Sequence, residues 1–212
     1  MNTSPFERWD AWSQHYADVG VVDGRLVRDG VALPDVYAQE KTKVLFVLRD
    51  PNNSPGTDMR ALLRKGPEHQ IWHTLARWAA GTLSGFAPYK DVSRSERKVE
   101  ALRRVAVINL KKESGGARTD LAILNAIAHR DQHVLREQVE LLAPRLVIAC
   151  GTFDQLVWLL DLDPDPAALY RAPAWNRKRT LQAVNFRHPA QSHGEKDYER
   201  LKGLVMPVLA SL

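Results

Sequence analysis

The sequence predicts an α/β fold, a central four-stranded parallel sheet with helices on both faces. Residues 44–48, 105–110, 145–150 and 180–186 are largely apolar runs of strand length, and continuous apolar character without alternation marks strands buried on both faces. Stretches of helical periodicity separate them, the alternation that produces parallel strands joined by crossovers. Three of the runs halt in polar turns, so their carboxyl ends lead into loops. At 212 residues the chain can bury one substantial core, and no linker-like stretch divides it. One domain over residues 1–212 is expected, with an N-terminal helix and hairpin (1–42) ahead of the core (43–212).

In chain order, Thr3 or Ser4 can cap a first helix with Pro5 in its opening turn, and Phe6, Trp9, Trp12 and Tyr16 follow at helical spacing. That stripe reads as core packing rather than a base-stacking platform. Residues 21–34, VVDGRLVRDGVALP, hold two Asp-Gly pairs between β-branched residues and predict a small hairpin or meandering edge over the sheet. Residues 59–65 and 69–83 read as helices, the second burying Ile71, Trp72, Leu75, Trp78 and Ala79. A loop with two aromatics (85–92) precedes a basic amphipathic helix (95–104). Further helices are expected at 119–128, at 131–142 (ended by Pro144), at 151–160 and at 195–209, with 161–167 an Asp- and Pro-rich loop.

Thirty Lys and Arg against 25 Asp and Glu leave a formal charge of +5, which suits a phosphate-bearing partner or simply a solvated basic surface. Cys150 is the only cysteine, so a disulfide framework, a multi-cysteine zinc site and an iron–sulfur cluster are excluded within one chain. The N-terminus has no basic segment leading into an apolar core, and no run reaches the roughly 18 apolar residues of a membrane span. A cytoplasmic monomer without membrane association, metal or cofactor is expected. His69 and His73, and His129 and His133, are each four apart, but no HExxH pattern accompanies them and a solvated or core role is the better reading.

The chemistry-bearing residues sit at strand ends. Asp50 follows the first apolar run, Asn109 closes the second and His188 follows the fourth, and in open α/β sheets the carboxyl edge is where ligands bind. A carboxylate can orient water or stabilise a cation, an amide can read a planar donor–acceptor edge, and an imidazole can bond an oxygen gaining negative charge. Singly, each has an ordinary reading as a turn residue bonding local backbone. Together they suit cleavage of a bond to a planar heterocycle.

Four motifs in order carry a resemblance. VLRDPNNSPG, with Asp50, Pro51 and Gly56, is similar to a strand ending in GQDPYHGPG; VAVIN, ending at Asn109, is similar to a strand ending LLLN. PRLVIACG, residues 144–151, looks like an apolar strand closing in Gly, and His188-Pro189-Ala190 resembles HPS. The chain thereby resembles the uracil-DNA glycosylase superfamily over residues 43–192, as a divergent member without the four cysteines of the iron–sulfur branch. The resemblance implies that Asp50 activates or positions water, that Asn109 reads the base edge with Pro51 and Asn52 beside it, and that His188 bonds the carbonyl oxygen of the departing base.

Departures from the pattern shift the expected substrate. Asn52 replaces the tyrosine that excludes a 5-methyl group, so uracil or a 5-modified pyrimidine is implied, and a role against modified viral DNA follows as an alternative. No aromatic lies between Gly56 and Ile71, so base stacking falls to Trp72, Phe86 or Tyr89. The wedging leucine is absent, leaving Gln191, Ser192 and His193 to contact DNA. Lys111, Lys112 and Arg118, in a Gly-rich loop, are expected at phosphates, whereas Arg94, Arg97, Lys98, Arg103 and Arg104 read as a solvated helix face. Arg171, Arg177, Lys178 and Arg179 surround Trp175 in a basic loop. A catalytically inactive nucleic-acid-binding protein of the same fold, and a nucleoside-handling enzyme, are the rival readings.

Overall fold

The computed structural model describes residues 8–51, 56–116, 119–168 and 172–212. Its strands are β1 (Gly30–Val31), β2 (Val44–Leu48), β3 (Ala106–Asn109), β4 (Leu146–Cys150), β5 (Leu162–Asp163), β6 (Ala174–Asn176) and β7 (Gln182–Phe186). The longer helices are α1 (Arg8–Asp18), α2 (Pro34–Ala38), α3 (Met59–Lys65), α4 (Gln70–Leu83), α5 (Tyr89–Val92), α6 (Ser95–Arg104), α7 (Leu121–Arg130), α8 (Gln132–Leu142), α9 (Phe153–Leu159) and α10 (Glu195–Ser211). The proposed caps at Thr3 and Ser4, with Pro5 and Phe6, lie outside the described residues.

All four apolar runs become strands, and they form the parallel centre of one sheet in the order β3-β2-β4-β7. The sheet has seven strands rather than four and is mixed. Short antiparallel strands flank the parallel centre, β1 on β3 and β6 with β5 on β7. Two- and three-residue strands carry too little alternation to be read from sequence, and two of them fall in segments rich in Asp, Pro and Gly. Of the two expectations for residues 21–34, the hairpin does not form and the meandering edge does. The 3₁₀ turn Asp23–Arg25 leads into an extended strap, where Leu26 bridges Glu113, Val27 N–H bonds Lys112 O and Ser114 N–H bonds Arg25 O, before β1 joins the sheet edge. Residues 85–92 hold the short helix α5 inside the expected loop.

Side chains alternate between the two faces of β2, as the pleat requires. Val44, Phe46 and Leu48 pack with α3, α4, α6 and α10, and Leu45 and Val47 with α7, α8 and α9. Helices therefore cover both faces. Each fully buried aliphatic or aromatic side chain is worth about 1.5–3 kcal/mol relative to exposure, which is why five consecutive buried residues make β2 the sheet's anchor. A third, smaller core joins Trp9, Trp12 and Tyr16 of α1 to Val134 of α8, the packing role read for that stripe. No described helix is long and apolar enough to cross a membrane.

Register decides what meets at the carboxyl edge. Val47 lies opposite both Ile108 and Ala149, and Cys150 opposite Phe186, so Leu48, Asn109, Cys150 and Phe186 end in one row. Asp50 and His188 each stand two residues past that row, on strands separated only by β4. At about 4.8 Å per strand, the two exits lie roughly 10 Å apart before side chains reach inward.

Candidate functional site: a carboxylate and a neutral imidazole across a glycine gap

Between the two exits, β4 is followed by Gly151, in the left-handed region at φ +72°. A side chain there would press on the Arg49 guanidinium, 2.7 Å from Nη2. Arg49 lies across this glycine and donates from Nε to its carbonyl at 3.0 Å. The smallest residue thus makes room for a cation between the carboxylate and the imidazole. Arg49 was not legible as a site residue, because nothing in the sequence ties it to a glycine 102 residues away.

Asp50 is half-buried, and its Oδ1 accepts the Thr119 hydroxyl at 2.7 Å. The backbone beneath it is clamped. Lys111 N–H bonds Arg49 O, and Gly115 N–H bonds Pro51 O, continuing the β2–β3 pairing past the strand ends, while residues 25–27 hold the far side of the same segment. Gly115 lies close against the site, since a Cβ there would be 3.0 Å from Asp50 Oδ2 and 3.2 Å from Lys111 Nζ. The carboxylate thus has one oxygen fixed by Thr119 and the other facing the bare Gly115 backbone.

His188 precedes the 3₁₀ turn Pro189–Gln191, and its Nδ1 accepts the Ala190 N–H at 3.3 Å. An acceptor Nδ1 places the ring's proton on Nε2 in the neutral form, leaving that N–H as the outward donor. Burial, reinforced by the Arg49 charge and opposed by Asp50, pulls the imidazole down to about 4, so it is neutral at physiological pH. An unfolded histidine titrates near 6.5, so the native state binds fewer protons between the two values. The stabilisation from keeping His188 neutral is fully present above about pH 6.5 and is lost as pH falls through about 4. Urea midpoints measured across this window should fall less steeply with acid in His188→Gln than in the parent chain.

Other expected site residues are placed differently. Asn109 is 1% exposed. Its backbone N–H and its amide both point at Asp29 Oδ2, at 2.7 and 3.4 Å, its Nδ2 also approaches Met59 Sδ, and its Oδ1 is buried without a partner. It is therefore enclosed beneath the edge rather than open to a base. Lys112, expected at a phosphate, lies in the core. Its ammonium is fully buried and bonds both Asp29 oxygens at 2.8 and 2.9 Å and Gln138 Oε1 at 2.7 Å, so it faces the core and not phosphate. Although adjacent in the segment after β3, the two lysines end apart: Lys112 is bound in the core, and Lys111, half-buried, lies beside the Gly115 backbone near Asp50.

Neither Trp72 nor Phe86 is placed to stack on a base. Both belong to the core over one face of the sheet, with Phe86 held at φ +61° and its ring 5.3 Å from that of Tyr198. Tyr89 is half-buried and packs on Tyr198 from the other side. Pro51 is buried. Gln191 and His193 are exposed, while Ser192 Oγ accepts the Gly194 N–H and His193 N–H bonds Asp197, which leads the turn into α10. Asn52 and Arg118 lie outside the described residues, as does Arg171. His73 meets Lys98, His129 stacks on Trp158 at 3.9 Å and His133 packs on His15, and among the described residues no group of three or more His, Cys, Asp or Glu is placed to hold a metal ion.

No protein-family model matches the chain, and no curated protein matches it. Among solved structures, the wild-type UNG from Nitratifractor salsuginis is similar over 80% of this chain and 73% of that one, at 15% identity and a TM-score of 0.40.

Proposed function

We propose that the chain is a monofunctional DNA glycosylase, hydrolysing the bond between deoxyribose and uracil or a 5-modified pyrimidine and leaving an abasic site. One juxtaposition supports this reading: Asp50, anchored by Thr119, and His188, whose Nδ1 accepts the Ala190 N–H, follow strand exits separated only by β4 on one sheet edge, with Arg49 bonded to Gly151 after β4 and both Arg49 and Asp50 acting electrostatically on the imidazole. Departure of a base leaves positive character on the sugar and negative charge on a carbonyl oxygen. Asp50 suits the first, orienting water and stabilising the cation; His188, helped by the fixed Arg49 charge, suits the second. A neutral donor matches a weakly basic leaving oxygen without surrendering its proton. The base reaches this edge only after leaving the duplex stack, and Lys111, half-buried, with Gln191 and His193, exposed, are assigned contact with the strand. Asn52, two residues after Asp50 in the sequence, is assigned the choice of 5-substituent, which is the sole support for an alternative in defence against phage with modified bases.

The enclosure of Asn109, Trp72 and Phe86 favours a second reading, a nucleic-acid-binding protein of this fold without catalysis. A panel of duplexes and single strands carrying uracil, thymine mismatches or 5-substituted pyrimidines separates the two. Incubation followed by cleavage at abasic sites should give strand scission on at least one substrate. Binding that weakens with salt, with no base released on any of them, supports the second reading instead.

A further inference from the structure

We propose that Lys98, His73 and Arg77 form an anion site that takes a backbone phosphate of DNA alongside the candidate active site. Lys98 was expected on a solvated helix face, yet it is 7% exposed. Its ammonium contacts His73 Nδ1 at 3.1 Å, and among the described residues no carboxylate forms an ion pair with it. Arg77 follows His73 by one turn on the same face of α4, its Nε buried without a partner and its guanidinium 5.7 Å from the Tyr89 ring. Two cations and an imidazole are therefore gathered with only the exposed Glu96 acting on Lys98 from a distance. Burial and the neighbouring positive charges hold both Lys98 and His73 below their ordinary ranges. Such a cluster is relieved by an anion, which accepts the unused donors and restores the charged forms.

The cluster's position indicates which anion. Lys98 lies in the first turn of α6, the crossover helix that returns to the amino end of β3, so this turn is on the carboxyl-edge side of the sheet. Tyr89, beneath Arg77, reaches the start of α10, six residues after His188: a Cβ on Gly194 would lie 3.6 Å from its hydroxyl. A strand whose base enters the gap between Asp50 and His188 passes this face. Assignment to DNA rests on the proposed glycosylase reading; anion binding itself does not.

The test follows the His73 imidazole by NMR in the full chain, at constant ionic strength, as inorganic phosphate and then a short undamaged duplex are added. The apparent His73 pKa should rise and saturate with each, and Lys98→Met or Arg77→Gln should weaken phosphate binding about tenfold or more. In Lys98→Met the slope of log K against log salt for duplex binding should shrink by about 0.9. No rise in the folded parent chain, or an equal rise in Lys98→Met, overturns the site. A phosphate response with an unchanged duplex slope overturns its assignment to DNA. Because no step reads base release, an inactive chain that still binds phosphate here leaves the anion site standing and counts against the glycosylase reading alone.

Discussion

Replacing Asp50 with Asn is expected to lower base release on the order of 10²- to 10⁴-fold while DNA affinity stays the same or rises slightly, the range typical of removing one positioned acid–base group. The substitution keeps the shape and the Thr119 hydrogen bond but removes the charge assigned to stabilising a sugar cation and ordering water. On the proposed reading it also removes a negative charge from the surface assigned to phosphates, so binding should not suffer. Single-turnover release under saturating enzyme, set beside equilibrium binding to the same duplex, separates the effects. Equal losses in rate and affinity would falsify the catalytic assignment and make Asp50 a framework residue. His188→Ala supplies the comparison for the opposite charge: its loss should likewise fall on the chemical step, because the side chain is assigned to the leaving oxygen rather than to the strand.

The largest stability effect is expected at Lys112. Lys112→Met should destabilise the fold by about 3–5 kcal/mol, because it strands the Asp29 carboxylate in the core, where it is 1% exposed. Burial draws the Lys112 ammonium down from the usual lysine range, with Asp29 opposing the shift. What holds the pair is complete satisfaction: Asp29 accepts from Lys112, from Gln138 Nε2 at 2.8 Å and from the Asn109 backbone, while Lys112 also bonds Gln138. Trp9 Nε1 further ties α1 to the carbonyl of residue 29. Asp29→Leu alone leaves the ammonium uncompensated, and the double replacement with Lys112→Met should recover much of the loss. Urea unfolding of the four chains yields the coupling directly, and additive single losses would show that the contacts are incidental. The same experiment bears on the site: Asp29 fixes Asn109 and hence the end of β3, so the cost of the core network is also the cost of an ordered sheet edge.

Much of this molecule is legible in the sequence where burial is unambiguous. Residues 44–48, 105–110, 145–150 and 180–186 are apolar because both faces of a parallel strand are covered, and that pattern survives without any knowledge of neighbours. The polar turns after three of them place Asp50 and His188 at one edge for the same reason. The short flanking strands and the strap at residues 25–27 were not legible, since two or three residues carry no period and their pairing is set by partners distant in sequence.

Side-chain destinations were the harder matter. Lys111 and Lys112 are identical and adjacent, yet one lies near Asp50 beside Gly115 and the other is in the core, because Asp29 and Gln138, both distant in sequence, bind the second. Lys98 reads as one of several helix-face cations and is instead buried beside His73. Sequence alone thus determined the sheet's parallel centre and the residue types at its carboxyl edge, because strand burial and turn chemistry are local properties. Tertiary structure alone decided which of those residues face the gap, that Arg49 occupies it and that Asn109 is turned toward Asp29, because register, charge pairing and close approach at glycine depend on segments that meet only when the chain is folded.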